Sequence, residues 1–303
     1  MDRGASLLQA YCRENHIELR EHEPLHSHTT FKIGGPADWF ALPDTVEKLR
    51  GLLAFAREQG VKTAVIGMGS NLLVSDQGFR GLVVSTVRLD GCRQLGETVL
   101  EAGCGLRLSQ LASRAAGLGL AGLEFTQGIP GSVGGAVVMN AGAYDGEMAF
   151  VVQCSQVLTP QGEVCELTLP QHAFGYRTSR MKETPGMVVL STTFALKAGN
   201  RADIEAKMAD FAARRRDKQP LSLPSAGSAY KRPEGHFAGQ LIEQCGLKGF
   251  QIGGARVSDK HAGFIVNMGG ATSADVLRLM EHIEKTVLDR TGVRLEREVR
   301  ILA

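Results

Sequence analysis

"GIPGSVGGAVVMNAG", residues 128–142, places glycine at 128, 131, 134, 135 and 142 and proline at 130, then runs through an apolar stretch to Asn140. A chain gives up side chains at this density where its backbone must take positive φ, or where something must lie against the peptide groups. Two readings stand: a pair of tight turns, or a concave set of N–H dipoles holding a phosphate or diphosphate. The upstream stretch "GMGSN", residues 67–71, has the same character. Gly67 and Gly69 give a GxG after an apolar run, but Leu72 occupies the third glycine position of a dinucleotide-fold fingerprint. Asp90 follows a second strand signal with no helix between, which also argues against that fold. Residues 128–142 contain no lysine and no Gly-Lys-Ser/Thr ending, so they are not the phosphate loop of a nucleotide hydrolase. Two stripped loops favour a diphosphate held by backbone amides, with Ser70, Asn71, Ser132 and Asn140 as short polar anchors.

Working outward, "DTVEKLRGLLAFAREQG" has Asp44 and Glu47 at capping-box spacing and Gly60 as terminator, which predicts a helix. Strand signals follow at "VKTAVIG" and "GLVVSTV", the latter at 81–87, with "MGSNLLVSDQGFR" as the connection between them. "RLSQLASRAAGLG" is amphipathic with helical period, and further strands are predicted at 151–158, 163–168 and 187–196. The charged segment "AGNRADIEAKMADFAARRRDKQP" predicts a solvated helix ending before Pro220 and marks a domain boundary near 200. Beyond it lie a strand "GFIVN", a helix with Val276, Met280, Ile283 and Val287 on one stripe, and a final strand "RLEREVRIL".

The chain has 303 residues, near the upper size for one hydrophobic core, and this predicts more than one domain. Its net charge of +2 gives no reason to expect nucleic acid or a membrane surface as partner. No apolar run approaches the roughly 20 residues a bilayer requires, and no signal-peptide pattern opens the chain, which points to the cytoplasm. Six cysteines without a CxxC pair are expected to be reduced, mostly buried thiols, none beside a histidine that would activate it. His26 and His28 lack a third ligand nearby, so no metal is expected.

The blocks "TTFKIGGPADWF", "VIGMGSNLLVSDQGFRGLVV", "LEFTQGIPGSVGGAVVMNAGAYDGEM", "FGYRTSRMK", "PSAGSAYKRPEGHFAG" and "GVRLEREVRIL", in this order, resemble the signature of the UDP-N-acetylenolpyruvoylglucosamine reductase family. That resemblance implies an α+β chain: a two-subdomain FAD-binding module of the vanillyl-alcohol-oxidase (PCMH) type over 1–200, divided near 90, and a smaller substrate domain over 201–303. It implies FAD, held without a covalent bond because no His or Cys falls in either glycine loop, and NADPH as reductant. The substrate implied is UDP-N-acetylglucosamine enolpyruvate, reduced to UDP-N-acetylmuramate for peptidoglycan, with no obligate protein partner. The cofactor contacts would come from Ile66, Gly67, Gly69, Ser70, Asn71, Gly128, Ile129, Pro130, Gly131, Ser132, Gly134, Gly135, Asn140 and Ala141.

Three residues match the family's catalytic pattern. Arg177 in "GYRTS" would clamp the substrate carboxylate, since a planar guanidinium suits two oxygens. Ser228 in "AGSAYKRP" would give its proton to the carbanion carbon, with Lys231 or Arg232 stabilising the alkoxide. Glu298 in "LEREV", on a strand whose alternation puts Leu295, Val299 and Ile301 on one face and Glu296, Glu298 and Arg300 on the other, would serve the enolate as a protonated carboxyl. Tyr144 and Lys218 match the positions that meet the uridine diphosphate. Without the resemblance these are, respectively, a surface arginine, a turn serine, a solvated carboxylate, an interfacial tyrosine and a helix-terminal lysine. Asp145 stands where many relatives have glycine, and Met181 where phenylalanine is common. Only 31 residues separate Leu196 from Ser228, too few for a tyrosine-bearing lid, which implies the shorter branch of the family. Two other readings are a flavin oxidase on the same fold and a catalytically silent nucleotide-binding regulator.

Overall fold

The computed structural model describes residues 3–303 and divides the chain into two compact units. The first holds the chain up to Glu21, Trp39–Met68 and Gly81–Ala213; the second holds His22–Asp38, Gly69–Arg80 and Arg214–Ala303. The division falls inside the helix Arg201–Lys218, some way past residue 200, and two early segments join the C-terminal part. Their apolar side chains explain why. Phe31, Ile33 and Leu73 are buried in one cluster with Ile242, Val276 and Ile283, and burying each such side chain is worth about 1.5–3 kcal/mol.

In the first unit a five-stranded antiparallel sheet runs in the order Val164–Thr168, Val152–Leu158, Val188–Ala195, Val99–Gly103, Cys92–Gly96. The strand Thr63–Ile66 pairs in parallel with Phe79–Ser85, Val65 opposite Val84. The helix Val46–Glu58 buries Leu49, Leu52 and Ala56. Its cap is Thr45, whose hydroxyl accepts the Lys48 N–H, and not Asp44, which instead pairs with Lys48 one turn on. Helix Leu108–Gly117 buries Leu108, Leu111, Ala112, Ala115 and Ala116, the face its periodicity predicts.

The second unit is a four-stranded antiparallel sheet, Ser225–Ser228, Phe264–Asn267, Ala255–Val257, Gln251–Ile252 in that order, with the helices Ala238–Gln244 and Ser273–Thr291. The predicted stripe on the longer helix, Val276, Met280, Ile283 and Val287, is fully buried. Leu72–Val74, within what reads as a plain connection, pairs in parallel with Arg300–Leu302. The last strand is therefore short. Residues 296–298 leave the expected ladder to lie against 229–231, and Ile301 is half exposed, so the inward face predicted for Leu295, Val299 and Ile301 holds only for the first two. A two-stranded ribbon has too little partner surface to cover both faces.

Among the described residues no helix is long and apolar enough to cross a membrane. The described cysteines are all free thiols, with Cys12, Cys104 and Cys245 buried and Cys92, Cys154 and Cys165 half-buried.

Candidate functional site

In the first unit, the glycine-rich stretch folds as a turn leading into the short helix Val133–Val138. Gly128 takes φ +78°, as its type permits. Ile129 is half-buried, Pro130 is exposed, and the Gly131 carbonyl accepts the Leu108 N–H at 3.0 Å. Gly134 packs its backbone onto Cys104 so closely that an added Cβ would lie 2.8 Å from the Cys104 Cβ. Burial pushes the Cys104 thiol up to about 12, so it is packing and not a nucleophile. Gly67 follows the buried Ile66 at the end of its strand, and a Cβ there would fall 2.3 Å from Ser132 Oγ. The two glycine loops thus meet at the Ser132 side chain. That side chain is buried, yet its hydroxyl has no hydrogen-bond partner among the described residues and does not cap the helix it precedes. Leaving a buried hydroxyl unsatisfied costs about 1–3 kcal/mol, a cost a bound acceptor removes. Gly135 stands exposed beside it.

Asn140 serves the loop itself. At φ +40° and buried, it donates from Nδ2 to the Gly175 carbonyl at 3.1 Å and accepts the Ala149 N–H at 3.0 Å. The Ala141 N–H closes the helix end on Ala136. These bonds tie "FGYRTS" to the loop, together with Ser179 Oγ donating to the Val138 carbonyl at 2.7 Å. Gly175 and Thr178 exchange backbone bonds in a tight turn, and Arg177 sits in it at φ +56°. Its Nη2 donates to the Gly142 carbonyl at 3.2 Å, and Lys182 Nζ donates to its own carbonyl at 2.9 Å. A bulky residue at positive φ is strained, and such strain concentrates at functional sites. Tyr144 and Asp145 are a second such pair, at φ +50° and +61°. Asp145 thus adopts a glycine-like backbone. The Tyr144 ring stacks on Phe211 with centroids 4.4 Å apart, and its hydroxyl donates to the Phe211 carbonyl at 3.3 Å.

Behind this segment His172 is buried within a polar chain. Its Nδ1–H donates to the Thr168 carbonyl at 2.8 Å, Nε2 takes the Ser155 hydroxyl at 2.9 Å, and Ser155 meets Thr192 at 3.0 Å. A carbonyl only accepts, which fixes the Nδ1–H tautomer. Burial lowers the His172 pKa and keeps the ring neutral.

The second unit holds the rest. Gly69, at φ +62°, is pressed against the His28 carbonyl, where a Cβ would come to 2.2 Å. Ser70 is half-buried, its carbonyl within reach of Thr30 Oγ1, which also donates to the Ser225 carbonyl at 2.7 Å. Asn71 donates from Nδ2 to the Glu298 carbonyl at 3.1 Å and accepts the Arg300 N–H on its own carbonyl at 3.0 Å. Ser228 is exposed at the end of its strand opposite Phe264. One residue on, the Ala229 carbonyl accepts the Glu298 N–H at 2.9 Å, so the alcohol and the carboxyl stand on neighbouring chains. Lys231 donates from its backbone to the Glu296 carbonyl at 2.8 Å and pairs with the Glu296 carboxylate. Arg232 lies over the Phe237 ring, 4.3 Å from its centroid, and Lys218 is exposed as the last residue of its helix.

Two family models match: a UDP-N-acetylenolpyruvoylglucosamine reductase C-terminal domain over residues 219–302, and an FAD binding domain over 37–168. The UDP-N-acetylenolpyruvoylglucosamine reductase of Levilactobacillus brevis is 48% identical over 94% of this chain and 93% of its own. The chain belongs to the UDP-N-acetylenolpyruvoylglucosamine reductase family. The reductase of that name from Caldicellulosiruptor bescii is 46% identical over 97% of this chain and 94% of its own. The crystal structure of the Thermus caldophilus reductase aligns with a TM-score of 0.79 at 34% identity, over 95% of this chain and 99% of that one. A glucooligosaccharide oxidase from Acremonium strictum, at 14% identity and TM-score 0.50, covers 96% of this chain and 59% of its own, and shares the fold alone. The fold is thus the α+β one expected of a UDP-N-acetylenolpyruvoylglucosamine reductase, an FAD-binding module of the vanillyl-alcohol-oxidase type with a C-terminal α+β domain.

Sequence reasoning passed over Thr30, Tyr230 and Arg297. Thr30, Tyr230 and Arg297 stood inside the motif blocks without a role.

Proposed function

We propose that this chain is an FAD-dependent, NADPH-consuming reductase that converts UDP-N-acetylglucosamine enolpyruvate to UDP-N-acetylmuramate in peptidoglycan synthesis, acting in the cytoplasm on small molecules. Gly67 and residues 128–135 would hold the cofactor's diphosphate. The unspent, buried Ser132 hydroxyl and the bare backbone around it fit an anionic group at close range. When bound, FAD reduced by NADPH supplies hydride to the terminal alkene carbon of the substrate. The protein's residues handle the charge and the proton. Arg177 binds the substrate carboxylate and stabilises the negative charge that spreads into it, the kind of preorganised donor worth about 10²–10³ in rate. Ser228 Oγ–H breaks as the C–H bond at the neighbouring carbon forms, and the alkoxide recovers its proton from solvent. Glu298 serves the enolate as a hydrogen-bond donor. Lys231 or Arg232 stabilises the alkoxide left on Ser228, Lys218 supplies positive charge for the uridine diphosphate, and Tyr144 serves it as the outer ring of its stack on Phe211.

The observation that supports this reading best is that the Glu298 N–H bonds to the carbonyl of Ala229, the residue after Ser228, in a chain matched to the family over nearly its whole length. The test is anaerobic. NADPH bleaches the yellow enzyme; adding the enolpyruvyl sugar nucleotide restores the colour quickly, whereas air restores it slowly. Rapid reoxidation by air without acceleration by the sugar nucleotide would make the protein an oxidase.

A further inference from the structure

The short pairing that carries Glu298, and that begins one residue after Ser228, has too few bonds to hold its own register. It consists of one bridge, Tyr230 opposite Arg297, flanked by Ala229–Glu298 and Lys231–Glu296 backbone bonds of 2.9 and 2.8 Å. A slip by one residue would turn every side chain to the other face and exchange Glu298 for a neighbour. Two side chains prevent the slip. Tyr230, buried, donates its hydroxyl to the Met280 carbonyl at 3.0 Å. Arg297 grips Glu284 with both arms, Nε to Oε1 at 2.5 Å and Nη2 to Oε2 at 2.9 Å. Met280 and Glu284 are four residues apart in Ser273–Thr291, hence one turn apart on one face. The two members of the bridge are therefore fastened, one from each chain, to adjacent turns of one helix. Asn71 adds a third tie at the Glu298 carbonyl, and the Lys231–Glu296 pair engages the other acid of "LERE".

We propose that Tyr230, Arg297 and Glu284 are positioning residues that lock the register of Ser228 against Glu298 and so aim the proton at one face of the substrate carbon. This rests on the roles proposed above for Ser228 and Glu298. It extends them in one respect. The carbon protonated becomes a stereocentre, so a loosened rung would lower fidelity as well as rate.

The experiment uses FAD-loaded Tyr230→Phe, Glu284→Gln and Arg297→Lys, with Ser228→Ala as control. Flavin reduction by NADPH is expected within about 2-fold of wild type, while reoxidation by the enolpyruvyl sugar nucleotide slows by about 10–100-fold, the scale of a misplacement near 1 Å. The dissociation constant of that nucleotide for the oxidised enzyme should change by less than about 3-fold, because the clamp does not touch it. The second epimer at the protonated carbon should appear in the product. Arg297→Lys, which keeps the charge but loses the fork, should fall between wild type and Glu284→Gln. Tyr230→Phe removes a single oxygen and guards against an outcome that reflects misfolding. Unchanged reoxidation and a single epimer in folded Tyr230→Phe and Glu284→Gln would overturn the proposal, as would loss of both half-reactions in proportion to a fall in Tm. If Ser228→Ala itself reoxidises at full rate, the underlying assignment fails; if only the clamp variants do, this inference alone fails.

Discussion

At the scale of single residues, the site is written in what is missing as much as in what is present. Gly67 has no side chain because the Ser132 hydroxyl occupies that space. Gly67→Ala should weaken FAD binding about 10-fold and destabilise the fold by about 1–3 kcal/mol, the range for overpacking. Flavin-fluorescence titration and urea unfolding read the two. In Gly67→Ala/Ser132→Ala the clash is relieved, so stability should return while affinity stays low. His172 gives a pH signature. Its folded pKa lies below the ordinary 6.5, so the unfolded chain binds the proton first. Its contribution to stability is present above 6.5 and lost as pH falls through the lowered value. The wild-type urea midpoint should therefore drop on acidification below 6.5 more steeply than that of His172→Gln; parallel curves would show that His172 contributes no pH dependence.

At the scale of elements, caps and short pairings decide what the chain can hold in place. The Asp76 carboxylate accepts the N–H groups of Ser273 and Ala274 at 2.7 and 3.0 Å, capping the helix to which the catalytic rung is proposed to be clamped. Asp76→Ala should cost about 1–2 kcal/mol, measured by chemical denaturation. The capping box within that helix, Thr272 with Asp275, should keep it from unwinding entirely. Elements with strong local patterns were legible in the sequence: the helix Val46–Glu58, the helix Ser273–Thr291 with its buried stripe, and three strands of the five-stranded sheet, Val152–Leu158, Val164–Thr168 and Val188–Ala195. Those that depend on distant partners were not. Leu72–Val74 is a strand only because Arg300–Leu302 lies beside it, and Glu298 left the predicted strand for the chain at Ala229. Arg177 was found by resemblance, but its positive φ and its tie to the Gly142 carbonyl come from a turn no periodicity encodes. Asn71 and Asn140 were expected at the cofactor; their amides hold backbone carbonyls at Glu298 and Gly175.

At the scale of the whole molecule, the polypeptide order and the spatial order differ. Segments His22–Asp38 and Gly69–Arg80 belong to the C-terminal unit because their apolar residues are buried there, a preference that composition cannot reveal. Gly67 and Gly69, two positions apart in one loop, consequently fall in different units, Gly67 close against the Ser132 side chain and Gly69 against the His28 backbone. The proton-donor role proposed for Ser228 is tested most directly by stopped-flow measurement of the two half-reactions in Ser228→Ala. Reduction of the flavin by NADPH should proceed at the wild-type rate, and reoxidation by the enolpyruvyl sugar nucleotide should fall by about 10²–10⁴-fold, the usual contribution of a positioned proton donor. Equal loss in both halves, or full-rate reoxidation, would contradict the assignment of the proton to Ser228.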